Sequence, residues 1–158
     1  MTLIDEFAAL VDALEADGIP YAVCGGIAVS IHGYMRFTRD IDLLVQPADL
    51  KRVLGSVARC GFTLEGGTLV FGAGTPSERS LFRVSKVVHD ELLTLDLLIV
   101  NPGLAGVWEN RIRVDWRGRR LSVVSRAGLI EMKRSARRPQ DLLDIEKLSE
   151  PRDRSEDG

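Results

Sequence analysis

Apolar side chains recur at helical spacing over residues 3–16, where Leu3, Phe7, Leu10, Val11 and Leu14 form one stripe. Asp17-Gly18 ends that helix, and Ile19-Pro20 leads into a short strand over residues 21–24. Residues 27–34 read as a short helix entered directly from the pair Gly25-Gly26. The pattern then changes to alternation: over residues 40–45 the acids Asp40 and Asp42 alternate with Ile41, Leu43 and Val45, which predicts a strand. Pro47 opens a helix that runs to Cys60 and stops at Gly61. Two short strands, 68–71 and 81–84, flank the turn-rich stretch 73–77, and residues 92–100 form a core strand interrupted by Asp96. A hairpin over 114–124 turns at Arg117-Gly118-Arg119, and helices follow at 127–135 and 140–148. The series predicts an α/β (α+β) chain, a mixed β-sheet with helices packed mainly on one face and a C-terminal helical segment. One domain is expected over residues 1–150, with 151–158 a disordered, charged tail.

The polar positions inside apolar strands carry the chemistry. Carboxylates at i and i+2 of a strand share a face, so Asp40 and Asp42 aim at one spot while Ile41 and Leu43 enter the core. Two such acids suit a divalent cation that also takes phosphate oxygens, since magnesium prefers a few carboxylates plus substrate oxygens to an all-protein cage. Asp96 interrupts a run of leucines and isoleucine, where an isolated buried charge costs several kcal/mol. It therefore either pairs with one of the arginines or joins the other two acids in a site that a cation neutralises. The glycines Gly25 and Gly26 let backbone approach a polyphosphate closely, and Ser30 lies one turn further on. Arg36 or Arg39 supplies a bidentate donor for phosphate, with a salt bridge the favoured role for Arg39. His32 is equally a half-buried structural histidine or a functional one.

Composition narrows the partners. The chain has 158 residues, 45% of them hydrophobic, enough to bury a core, and a formal net charge of −2 that provides no global basic field for nucleic acid. A polynucleotide would need a local patch. The two cysteines, Cys24 and Cys60, have no metal-site spacing and read as buried thiols of a reduced, cytoplasmic protein. No export signal and no apolar run of membrane-crossing length is visible, so no membrane partner is expected.

Residues 25–45, GGIAVSIHGYMRFTRDIDLLV, preceded by the apolar Tyr21-Ala22-Val23, resemble the nucleotidyltransferase superfamily of the DNA polymerase β type. Its signature is a Gly-Gly or Gly-Ser pair, a spacer of this length, then Asp-x-Asp. The closest likeness is to small bacterial AbiEii-like proteins. The resemblance implies a nucleotidyltransferase-like fold, Mg²⁺ or Mn²⁺ as cofactor and an NTP as substrate. It also implies Asp40, Asp42 and Asp96 as catalytic metal ligands. Residues 129–148, LIEMKRSARRPQDLLDIEKL, are similar to the Leu-x-x-x-Lys and Asp-x-x-Asp region of the same proteins. That likeness adds Lys133 as a catalytic and nucleotide-binding residue, Asp141 as a nucleotide-binding one, and Arg137 and Asp144 as supports. Ordinary amphipathic helices, with Asp141 as a cap and Lys133 solvated, would read the same way.

Two functions follow. The first is an ATP- or other NTP-using transferase that moves a nucleoside monophosphate to a hydroxyl of an RNA or tRNA end, a protein or a small molecule, including the toxin of a toxin–antitoxin pair. The second is a catalytically weak module of the same fold acting through a partner such as an antitoxin or a helical protein.

Overall fold

The computed structural model describes residues 2–34, 38–136 and 139–149. Among the described residues seven strands form one mixed sheet in the order β3-β4-β5-β2-β1-β7-β6. They are β1 (Ala22–Cys24), β2 (Ile41–Val45), β3 (Leu64–Phe71), β4 (Arg79–Val88), β5 (Glu91–Ile99), β6 (Ile112–Trp116) and β7 (Arg119–Val123). Six α-helices accompany them among the described residues: α1 (Leu3–Ala16), α2 (Gly25–Ile31), α3 (Leu50–Ala58), α4 (Ala105–Glu109), α5 (Arg126–Ala136) and α6 (Pro139–Ser149). The α+β class expected from the alternation of elements is the one observed.

Helix α1 starts where Thr2 and Asp5 cap one another reciprocally, each side chain bonding the other's backbone N–H. Its stripe of Phe7, Leu10, Val11 and Leu14 is buried against the sheet. The face it covers is fixed by two polar contacts and one ring contact. Glu6 on α1 pairs with Lys86 of β4 at 2.9 Å, and Lys86 also donates to the carbonyl of Cys60 just beyond α3. The ring of Phe7 meets Trp116 edge-on at 5.3 Å. Lys86 lies opposite Leu93 in the β4–β5 ladder, so α1 and α3 lie over the side of the sheet that carries Leu93 and Leu95. Ile41, Leu43, Leu95 and Leu97 are wholly buried there, as expected of residues alternating with the acids.

The opposite face is not bare. Cys24 is paired with Asp42 and Ala22 with Leu44 across β1 and β2, and Ala22, Cys24 and Leu44 are all buried. Two tight turns set the registers. Val88 pairs with Glu91, and both residues between them, His89 and Asp90, have positive φ (50° and 64°), the signature of a type I′ hairpin. Arg117-Gly118 repeats that device between β6 and β7, at the turn expected from the sequence.

Strands β3 and β4 are longer than the alternation suggests; beyond residue 84, Lys86 continues β4 with its head group partnered rather than ending it. The single-turn helix α4 and the 3₁₀ turn Pro102–Leu104 before it are too short to leave a periodic signal. Among the described residues no helix is long and apolar enough to cross a membrane.

Candidate functional site

One row of residues crosses five strands. Cys24 of β1 is opposite Asp42 of β2, Asp42 is opposite Asp96 of the parallel strand β5, Asp96 is opposite Arg83 of β4, and Arg83 is opposite Gly67 of β3. Residues directly opposite one another share a face, so two of the three expected acids project from the same side of adjacent strands. Asp42 is half-buried and Asp96 is buried. Asp40 precedes the first residue of β2 and is exposed. Its charge nonetheless reaches the same place: the guanidinium of Arg83 is held in its charged form above all by its hydrogen bonds to Asp96, then by the charges of Asp96, Asp40 and Asp42.

Arg83 clasps Asp96 with both arms. Its Nε donates to Oδ1 at 2.8 Å and one terminal nitrogen to Oδ2 at 3.0 Å, the bidentate geometry that makes arginine–carboxylate pairs strong. Of the two roles open to Asp96 in the sequence, this structure displays the arginine pair, placed beside the other acids. Arg83 is the site residue that sequence reading missed. A two-residue turn at His89-Asp90 would have found it, because that turn alone brings residue 83 opposite residue 96.

Gly25 meets Asp42 closely. It has φ +65°, and a Cβ built on it would lie 2.1 Å from Oδ2 of Asp42. No side chain fits there, so the glycine holds β1 and α2 tight against the acid. Gly26 is buried in the first turn of α2. Ser30 is exposed, and its hydroxyl donates back to the carbonyl of Gly26 at 3.2 Å. Nε2 of His32 lies 2.9 Å from the carbonyl of Val124; that oxygen only accepts, so this nitrogen carries the proton and ties α2 to the end of β7. Arg39 is exposed at the entry to β2.

Lys133 approaches the row from α5. Its side chain is 8% exposed and its Nζ is 3.0 Å from Oδ2 of Asp144 on α6, itself 3% exposed. The buried thiol of Cys24 is pushed well above its ordinary pKa by burial and then by Asp42, with a smaller contribution from Asp96, while Lys133 opposes the rise. Cys24 therefore sits among Asp42, Asp96 and Lys133. Among the described side chains Asp144 is an acid beside Lys133; Asp141 belongs to α6, but its side chain lies outside the described residues, as do Arg36 and Arg137 altogether.

Among the described residues no three His, Cys, Asp or Glu side chains are gathered tightly enough, as they stand, to hold a metal ion. The donor set nonetheless suits a hard cation. Asp40 and Asp42 offer carboxylate oxygens two residues apart at the wet end of β2, and Gly25 leaves backbone rather than side chain beside them. Asp96 is adjacent in register, with both oxygens occupied by Arg83.

This architecture is the nucleotidyltransferase fold. The chain is similar in structure to the lincosamide antibiotic adenylyltransferase LnuA in its lincomycin-bound form, with a TM-score of 0.61 and 16% identity over 91% of this chain and 94% of that one. It is similar to ANT(2″)-Ia in complex with adenylyl-2″-tobramycin, with a TM-score of 0.59 and 16% identity over 94% and 87% of the two chains. The Thermotoga maritima protein TM1012 gives 0.56 and 12% identity over 91% and 86%. No protein-family profile matches the sequence, and no curated protein matches it.

Proposed function

We propose that this chain is a divalent-cation-dependent nucleotidyltransferase that moves a nucleoside monophosphate from an NTP to a hydroxyl. The observation that carries this reading is the registered pair Asp42–Asp96 with Gly25 packed against Asp42. Asp40 and Asp42 are the residues that would hold Mg²⁺ or Mn²⁺, with Asp96 as a further ligand. The cation, when bound, neutralises the triphosphate and the developing charge on the leaving pyrophosphate. The backbone at Gly25 and Gly26 leaves room for phosphate oxygens. Asp96 takes the proton of the acceptor hydroxyl as its oxygen bonds to the α-phosphorus and the bond to the β-phosphate breaks. Lys133 supplies a buried positive charge, oriented by Asp144.

A small hydroxylated molecule is the acceptor this reading favours. LnuA and ANT(2″)-Ia, which match over nearly their whole length, are described with an antibiotic and an adenylylated antibiotic. The net charge of −2 gives no general attraction for RNA. The sheet also extends the acid face sideways: Val87 and Leu92 are paired and exposed, and Ser85 and Thr94 are paired between them and the Arg83–Asp96 step. Ser85 is buried, so the strip offers the apolar surface of Val87 and Leu92 and the half-buried hydroxyl of Thr94 to an acceptor placed at Asp96.

The test is incubation of the protein and its Asp42→Asn variant with α-labelled NTPs, Mg²⁺ and separate pools of hydroxylated small molecules, RNA and protein. Label in a small-molecule product, lost in the variant, is the expected result. Label in RNA or protein would replace the acceptor and favour the toxin of a toxin–antitoxin pair; no label in any pool would remove the enzymatic reading. One observation supports a second reading, a catalytically weak AbiEii-like module acting through a partner protein: Arg83 occupies both oxygens of Asp96.

A further inference from the structure

Asp96 and Arg83 are built as a pair. They are opposite residues on antiparallel strands, the carboxylate is 8% exposed and the guanidinium 42% exposed, and both oxygens are taken. A cation drawing on Asp42 and Asp96 together would share an oxygen that Arg83 already binds, and although each oxygen keeps a second lone pair, two positive groups at one carboxylate repel each other. The side chain that must yield is the longer and wetter one, so it can swing toward solvent while Asp96 stays in place. Without any counter-ion Asp96 would be a buried charge beside two more acids, a costly arrangement.

We infer that Arg83 is an internal counter-ion of this site: it neutralises Asp96 in the empty protein and is displaced when a divalent cation engages that carboxylate. Arg83 is thus a positioning residue that sets the affinity of the site for its cation. This inference rests on the proposed cation-dependent reading. Arg83 holds Asp96 in one rotamer and lowers the cost of leaving the site empty, and it makes cation binding an exchange of one positive group for another. An exchange is weaker than filling an open acid cluster, and by more the better the pair being broken.

The test is a Mn²⁺ titration of the full chain, followed by calorimetry or by the spin-resonance signal of free Mn²⁺, with no turnover required. Wild type, Arg83→Gln, Arg83→Lys, Asp96→Asn, the double variant Arg83→Gln/Asp96→Asn, and Asp42→Asn are compared. Arg83→Gln should bind Mn²⁺ about tenfold tighter than wild type, the equivalent of losing one charge-assisted hydrogen-bonded pair. Arg83→Lys keeps the charge but loses the fork, and should bind about threefold tighter. In the Asp96→Asn background, Arg83→Gln should change affinity less than about twofold, because the effect passes through Asp96. If Arg83→Gln does not fold, the Arg83→Lys comparison decides alone. Binding to wild type that is lost in Asp42→Asn but unchanged in the folded Arg83 variants overturns the exchange and leaves the cation site standing. No binding to wild type or to any Arg83 variant overturns the cation reading itself, and the exchange with it.

Discussion

Gly25 and Asp42 pack so closely that position 25 has no space for a single methyl group: a Cβ there would fall 2.1 Å from the Asp42 carboxylate oxygen. The contact ties the end of β1 to the acid that the candidate site needs most. It also separates two effects of glycine that are usually confounded. Gly18 has the same φ of +65°, but nothing lies within 4 Å of its virtual Cβ.

Gly18→Ala should therefore lose about 1 kcal/mol, the strain of a left-handed backbone alone. Gly25→Ala must in addition displace Asp42, and should lose at least about 2 kcal/mol together with its thermal response to Mn²⁺. Urea unfolding of both variants, with and without Mn²⁺, checks this. Equal losses in the two would show that the Asp42 contact adds nothing.

Lys133 and Asp144 form a buried ion pair at 3.0 Å. Lys133→Met takes this cation away from a buried carboxylate and should lose about 3–5 kcal/mol, whereas Lys133→Met/Asp144→Leu, which removes both charges, should recover most of that. The double variant isolates function from stability. If Lys133 serves the triphosphate, the recovered protein should bind NTP weakly while keeping its Mn²⁺ response; undiminished NTP affinity would make the pair purely structural.

Tyr21 provides a pH signature far from the acids. Burial above all raises its phenol well above the ordinary value of 10.0; the hydrogen bond from the Ser122 amide opposes the rise, and the hydrogen bond to Glu15 adds to it. A folded pKa above the unfolded one means that the folded state keeps its proton longer. The stability this confers is complete below the unfolded value and falls as pH rises from there toward the folded one. Unfolding free energy should thus decline more steeply above about pH 10 in wild type than in Tyr21→Phe. Parallel pH profiles for the two proteins would assign the alkaline loss elsewhere.

Much of this arrangement is legible in the sequence. The i, i+2 acids in an apolar strand, the glycine pair upstream and the lone acid at position 96 each follow from alternation, which needs only local sequence. Strand pairing is different. That Asp42 faces Asp96 depends on a parallel ladder between distant segments, and that Arg83 clasps Asp96 depends on a two-residue turn with non-glycine residues at positive φ, which His89-Asp90 does not advertise. Lys133 was legible as a charged helical residue but not as a buried one, because only the packing of α5 against α6 brings Asp144 to it. Helix α4 left no trace because five residues cannot display a helical period.

The tight turn between β4 and β5 also has a temporal consequence. A hairpin closed by two residues needs almost no chain entropy and can form within about 1–10 μs, whereas the parallel pairing of β5 with β2 must first close the long loop that contains β3 and β4. Arg83 and Asp96 should therefore meet early in folding, and Asp42 is expected to arrive at a carboxylate that already carries its guanidinium. Asp96 should thus carry its guanidinium before the Asp40-Asp42 pair comes into range. Pulsed hydrogen exchange during refolding should show amides of β4 and β5 protected ahead of those of β2.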